Sequence, residues 1–132
     1  MQNQNKIISI TDKTKGNSEF MELPFQQMKD AVLGEDYELS LVFCGNALIK
    51  RLNRERRKKD IATDTLSFAL EKNSGEIFIN PSFAKKRAAL FGRNFKNFIA
   101  YLFIHSLLHL KGMEHSDIME RQENKFRKVF GI

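Results

Sequence analysis

Thr65-Leu-Ser-Phe-Ala-Leu70, Glu71-Lys-Asn-Ser-Gly75 and Glu76-Ile-Phe-Ile-Asn80 are three consecutive segments that decide the fold class. The first alternates apolar and polar residues, the period of a half-buried strand. The second collects turn-forming residues, and the third is again a strand, so the pair is predicted to form an antiparallel hairpin. Upstream, Glu38-Leu-Ser-Leu-Val-Phe-Cys44 places Leu39, Leu41 and Phe43 on one face, and Lys6–Thr11 carries Ile7, Ile8 and Ile10. These read as two further strands.

Helical spacing fills the gaps. Phe20–Leu33 has apolar residues at roughly helical intervals, with Pro24 starting or interrupting the helix and Gly34 stopping it. Asn46 is a plausible cap for a helix carrying Ala47, Leu48, Ile49 and Leu52. Pro81 and Ser82 open a helix to about Phe91, Asn94 caps a long helix to Lys111, and an amphipathic helix runs from about Ser116 to Phe130. The order β-α-β-α-β-β-α-α-α, with two crossovers and one hairpin, predicts an α+β fold: a mixed four-stranded sheet surrounded by helices.

The bulk numbers fit one domain over residues 1–132, with 42% hydrophobic residues and 12 Phe to build its core. Cys44 is the only cysteine, which excludes an intramolecular disulfide and suits a reducing cytoplasm. The start, Met1 to Lys6, is polar and lacks the apolar core of a signal peptide. The longest uncharged apolar run, Phe98 to Leu110, is too short to span a bilayer and holds two histidines. A cytoplasmic protein without a membrane partner is therefore expected.

All three histidines lie in His105-Ser-Leu-Leu-His109-Leu-Lys-Gly112-Met-Glu-His115. His105 and His109 share one helical face, one turn apart, so their rings can share a metal. His115 joins them only if the chain turns after His109, and Gly112 sits where that turn is needed. The flanking helix is apolar on every side and so reads as buried, where imidazole nitrogens need partners. Three protein ligands with a fourth position open is the pattern of a catalytic zinc site. One zinc ion is the expected cofactor, although histidines also suit nickel, copper or iron.

Two alternatives bear on this site. The metzincin proteases share the spacing but carry a Glu after the first histidine as general base; here that position is Ser106. A non-catalytic ribosome-assembly factor with a closed structural zinc site would need a fourth ligand, for which Cys44 is the obvious candidate, yet a lone Cys on an apolar strand reads as core filler. Glu114, beside His115, reads as exposed or as an outer partner of the site. Asp64 reads as a turn cap in preference to a partner of histidine or arginine.

Lys50–Asp60 holds seven basic and two acidic residues, against a chain total of +6. Smaller clusters are Lys85-Lys86-Arg87 and Lys125, Arg127, Lys128. Such patches attract phosphate backbones. An arginine next to an open metal site can hold a phosphate and offset transition-state charge.

Two segments together resemble the YbeY family of bacterial endoribonucleases and rRNA maturation factors. His105–His115 is similar to its signature H-[GS]-x-L-H-L-x-G-x-[DE]-H. Leu52-Asn-Arg-Glu-Arg-Arg-Lys-Lys-Asp60-Ile-Ala-Thr-Asp-Thr-Leu-Ser-Phe68 is similar to L-N-x-x-[YF]-R-x-x-D-x-x-T-D-V-L-S-F. Gly75–Asn80 resembles the family's next strand. Departures are Arg56 for an aromatic, Thr65 for Val, Met113 for Tyr and Glu114 for Asp. The resemblance implies a zincin-like fold, zinc on His105, His109 and His115, and Arg57 facing it, so that catalysis depends on Arg57 and His109. It implies single-strand-specific RNA cleavage, maturation of the 3′ end of small-subunit (16S) rRNA, and late ribosome quality control. RNA contacts are expected at Arg54, Arg57, Lys58 and Lys59. The expected partners are rRNA and ribosomal or small-subunit proteins, and DNA is not among them.

Overall fold

The computed structural model describes residues 7–14 and 19–132, so the polar start Met1–Lys6 lies outside it. Four strands, β1 (Ser9–Asp12), β2 (Glu38–Phe43), β3 (Thr65–Glu71) and β4 (Ser74–Ile79), form one mixed sheet in the order β1-β2-β4-β3. β2 runs parallel to both β1 and β4, whereas β3 pairs antiparallel with β4, Leu66 opposite Phe78 and Ser67 opposite Ile77. The predicted hairpin is present with a tighter turn. Pairing extends from Glu71 to Ser74, leaving Lys72 and Asn73 between the strands, and a register irregularity at Ala69–Glu71 absorbs the difference.

The five α-helices are α1 (Phe25–Leu33), α2 (Asn46–Arg57), α3 (Pro81–Leu90), α4 (Phe95–Leu110) and α5 (Asp117–Phe130). Alternation along the strands divides the core. Leu39, Leu41, Phe43, Ile77 and Ile79 pack with residues of α1, α3, α4 and α5. Val42, Leu66 and Phe78 turn the other way and meet Ile49 and Leu52 of α2. Helix α2 thus covers one face of the sheet and the other four helices cover the opposite face. Helix α4 is central: Ile99, Ala100, Phe103, Ile104, Leu107 and Leu108 are sealed from solvent, as its all-round apolar sequence requires. No helix among the described residues is long and apolar enough to cross a membrane.

Three local expectations change. The helix foreseen over 20–33 is two elements, a 3-10 turn at Glu19–Glu22 and α1, because Pro24 stands at the N-cap of α1. The first strand is shorter than its isoleucines suggested: Ile7, exposed, and Ile8, buried, precede β1, and Ile10 within it is exposed. Asn46 is the first residue of α2 and not its cap; Gly45 takes the cap position, and the Asn46 side-chain oxygen accepts from Asn80 Nδ2. Asn80 in turn caps α3, its Oδ1 accepting from the Phe83 N–H at 3.3 Å.

Candidate metal centre

His105 and His109 stand one turn apart on α4, which ends at Leu110. Gly112 has φ +101°, a conformation closed to most side chains, and its N–H bonds back to the His109 carbonyl at 2.9 Å. The Met113 N–H reaches the Leu108 carbonyl at 3.0 Å, so the chain folds over the end of α4. That reversal brings His115 back, as its spacing predicted. Ring centroids lie 4.6 Å apart for His105–His109, 5.1 Å for His105–His115 and 4.9 Å for His109–His115. One nitrogen from each ring lies within 4.8 Å of the others.

Protonation explains why this triad is fit for a cation. His109 Nδ1 is 3.0 Å from the Met113 carbonyl oxygen, which can only accept, so that nitrogen carries the proton and Nε2 is left with its lone pair. His105 Nδ1 is buried, with Glu123 Oε2 at 3.4 Å. That separation is long for a hydrogen bond, but no other acceptor is in reach among the described residues, so the carboxylate fixes the same tautomer by charge. The two Nε2 atoms lie 3.0 Å apart, and with both protons on Nδ1 they meet lone pair to lone pair. A shared cation turns that repulsion into two ligand bonds. Burial holds the His109 pKa below its ordinary value, with the neighbouring His105 charge next in weight, which favours the neutral, ligating form.

The histidines open onto a cleft of about 780 Å³ that Arg57, Asp64, Arg87, Arg93 and Tyr101 also line. Arg57 is the last residue of α2, on the far face of the sheet, and it reaches the cleft around edge strand β3, whose Thr65, Ser67 and Ala69 form part of the wall. Lys58 ends α2 in a left-handed conformation (φ 56°), and buried Asn53 pins the following loop by donating to the Ile61 carbonyl at 3.1 Å. Among the described residues no carboxylate lies within ion-pair distance of Arg57. Its neighbours differ: Arg54 pairs with Asp60 at 3.6 Å, and Arg56 pairs with Glu76 at 2.7 Å while lying over the Phe68 ring. Arg54, Lys58 and Lys59 are exposed and do not line the cleft.

Asp64 is no simple turn cap. It is buried and accepts from Arg87 Nη1 at 2.6 Å, anchoring a second arginine in the cleft. Glu114 is exposed; the carboxylate beside the histidines is Glu123 of α5, which sequence reasoning missed. A Glu on an amphipathic helix, eight residues past the last histidine, gives no local signal of burial. Burial raises the Tyr101 phenol above its ordinary value, and the charge of Glu123 and a hydrogen bond to it add to the shift.

The two alternatives fare poorly. Ser106, where a peptidase needs its base, is buried with its hydroxyl 2.9 Å from that of Thr65. Cys44 packs among Val42, Ile49 and Leu52, its thiol pushed up to about 11 by burial, and lies outside the histidine cluster.

The comparisons agree with this architecture. The family model described as Endoribonuclease YbeY matches residues 1–129. An endoribonuclease YbeY of Staphylococcus carnosus is 33% identical over 134 residues, covering 88% of this chain and 87% of that one. One from Lacticaseibacillus casei is 35% identical over 100 residues, 66% of each chain, so the match spans just under two thirds of that relative. The solution structure of TM1509 from Thermotoga maritima superposes with a TM-score of 0.70 at 27% identity, covering 95% of this chain and 90% of that one. On the histidine triad, the mixed sheet and the whole-length match, the chain belongs to the endoribonuclease YbeY family.

Proposed function

We propose that residues 1–132 act as one zinc-dependent endoribonuclease domain that cleaves single-stranded RNA, with ribosomal RNA as the physiological substrate. The observation that carries the reading is the convergence of three histidine rings, two of their Nε2 atoms 3.0 Å apart, in the cleft that Arg57 also lines. His105, His109 and His115 would hold the ion, with Glu123 facing Nδ1 of His105 and the Met113 carbonyl facing Nδ1 of His109. A bound zinc supplies Lewis acidity at the scissile phosphate. Arg57, free of any carboxylate among the described residues, binds that phosphate and stabilises the charge that develops on it. Arg87, fixed by Asp64, adds positive potential to the same cleft. Arg54, Lys58 and Lys59, at the exposed end of α2, extend that potential along the outgoing RNA backbone. The names of the relatives support an endoribonuclease. We extend this reading to maturation of the 3′ end of 16S rRNA and late ribosome quality control, in the cytoplasm and in contact with ribosomal proteins.

The test is metal content together with cleavage of a single-stranded rRNA fragment, with and without chelator. The expected result is about one zinc per chain and chelator-sensitive cutting. Arg57→Glu should keep the zinc and lose cutting. Undiminished cleavage by a zinc-free His109→Ala protein would overturn the proposal.

A further inference from the structure

The cleft contains an aromatic ring that neither the fold nor the metal centre uses. Phe91 follows the last residue of α3, is 64% exposed, and lines the same cleft as the histidines and Arg57. Its exposure does not come from a frayed helix end. Its N–H bonds to the Arg87 carbonyl at 3.1 Å, the Gly92 N–H to the Ala89 carbonyl at 3.2 Å, and the Arg93 N–H to the Ala88 carbonyl at 2.8 Å, with Gly92 turning at φ +63°. The ring is thus mounted on a corner whose backbone is fully tied down.

Its surroundings are cationic. The Arg87 guanidinium lies 5.8 Å from the Phe91 ring centre and is itself locked by buried Asp64. Arg93, two residues on, lies over Tyr101 at 5.1 Å and Phe98 at 5.9 Å. Among the described residues no other aromatic ring stacks on Phe91. The charged lining of the cleft, histidines aside, is three arginines against one carboxylate. An exposed aromatic face among arginines, in a cleft with a metal centre, matches the two demands of a single nucleic-acid strand: charge for the phosphates and a flat apolar surface for a base.

We propose that Phe91 is a base-stacking platform, taking an unpaired nucleobase near the phosphate held at the metal centre. This rests on the RNA-cleavage reading and deepens it. A paired base is already stacked within its duplex and cannot lie on the ring, so the platform selects single strands whatever their sequence.

The probe is a single-stranded 2′-O-methyl RNA oligonucleotide carrying 2-aminopurine, its integrity checked on a gel, bound to the zinc-loaded full chain. Stacking quenches the 2-aminopurine. Phe91→Ala should abolish the quench and weaken binding by about 5- to 150-fold, the range for loss of one stacked base, with metal content unchanged. Phe91→Trp should restore both, and an oligonucleotide with an abasic site at that position should bind the wild type as weakly as the intact one binds Phe91→Ala. Equal affinity and equal quench for wild type and Phe91→Ala would overturn the platform and leave the exposed ring to a protein partner. A wild-type protein that binds no oligonucleotide would instead overturn the RNA reading itself.

Discussion

Replacing Glu123 by Leu should weaken metal binding without unfolding the protein. Glu123 is 8% exposed on α5, and its carboxylate is, among the described residues, the sole acceptor facing His105 Nδ1, at 3.4 Å. Leu keeps the helix propensity and approximate volume, so α5 and the packing of Met119 and Phe126 should survive. What is lost is the group that keeps the proton on Nδ1 and Nε2 free to ligate. Removing the outer partner of a ligating histidine typically costs about 10- to 100-fold in metal affinity. Glu123→Gln keeps an acceptor oxygen but loses the charge, so its loss should be smaller, under about tenfold. Competition of the metal-free protein against a chromogenic chelator gives the dissociation constants, and circular dichroism checks the fold. A folded Glu123→Leu protein with wild-type zinc affinity would refute the tautomer argument.

Gly112→Ala places a side chain where φ is +101°, at a cost of about 1–3 kcal/mol. Because this corner delivers both the Met113 carbonyl and His115, zinc affinity should fall with it, as isothermal titration would show. The pH dependence of the metal-free protein follows from His109, whose folded pKa lies below its ordinary value of 6.5. Above pH 6.5 both folded and unfolded chains are neutral there and the contribution to stability is complete. As the pH falls toward the folded pKa, the unfolded chain takes up a proton that the folded one refuses, and stability is lost. Thermal melts between pH 7.5 and 5 should show Tm falling on acidification, and His109→Gln should flatten that slope.

Much of the site was legible because its decisive geometry is local. Two histidines four apart, a glycine and a third histidine specify a helix, a corner and a return within eleven residues. The hairpin was legible for the same reason: both strands and their turn are contiguous. Long-range facts were not. Asp64 and Arg87 are 23 residues apart, and nothing in either neighbourhood says that β3 and α3 place them in contact. Glu123 is hidden by its own helix, whose amphipathic pattern makes a glutamate read as solvent-facing. Lys29, fully buried, donates to the Gly34 and Glu35 carbonyls and pairs with Asp30, closing the end of α1 in a way no periodicity announces. The resemblance pointed to Arg57, but its route to the histidines depends on the strand order, with β3 at the sheet edge.

The most direct measurement is anomalous diffraction at the zinc edge from crystals of the zinc-loaded protein. One peak is expected, about 2.0–2.1 Å from a ring nitrogen of each of His105, His109 and His115, with no fourth protein ligand. A peak that lacks the His115 ring, or one completed by the Cys44 thiolate, would contradict the account.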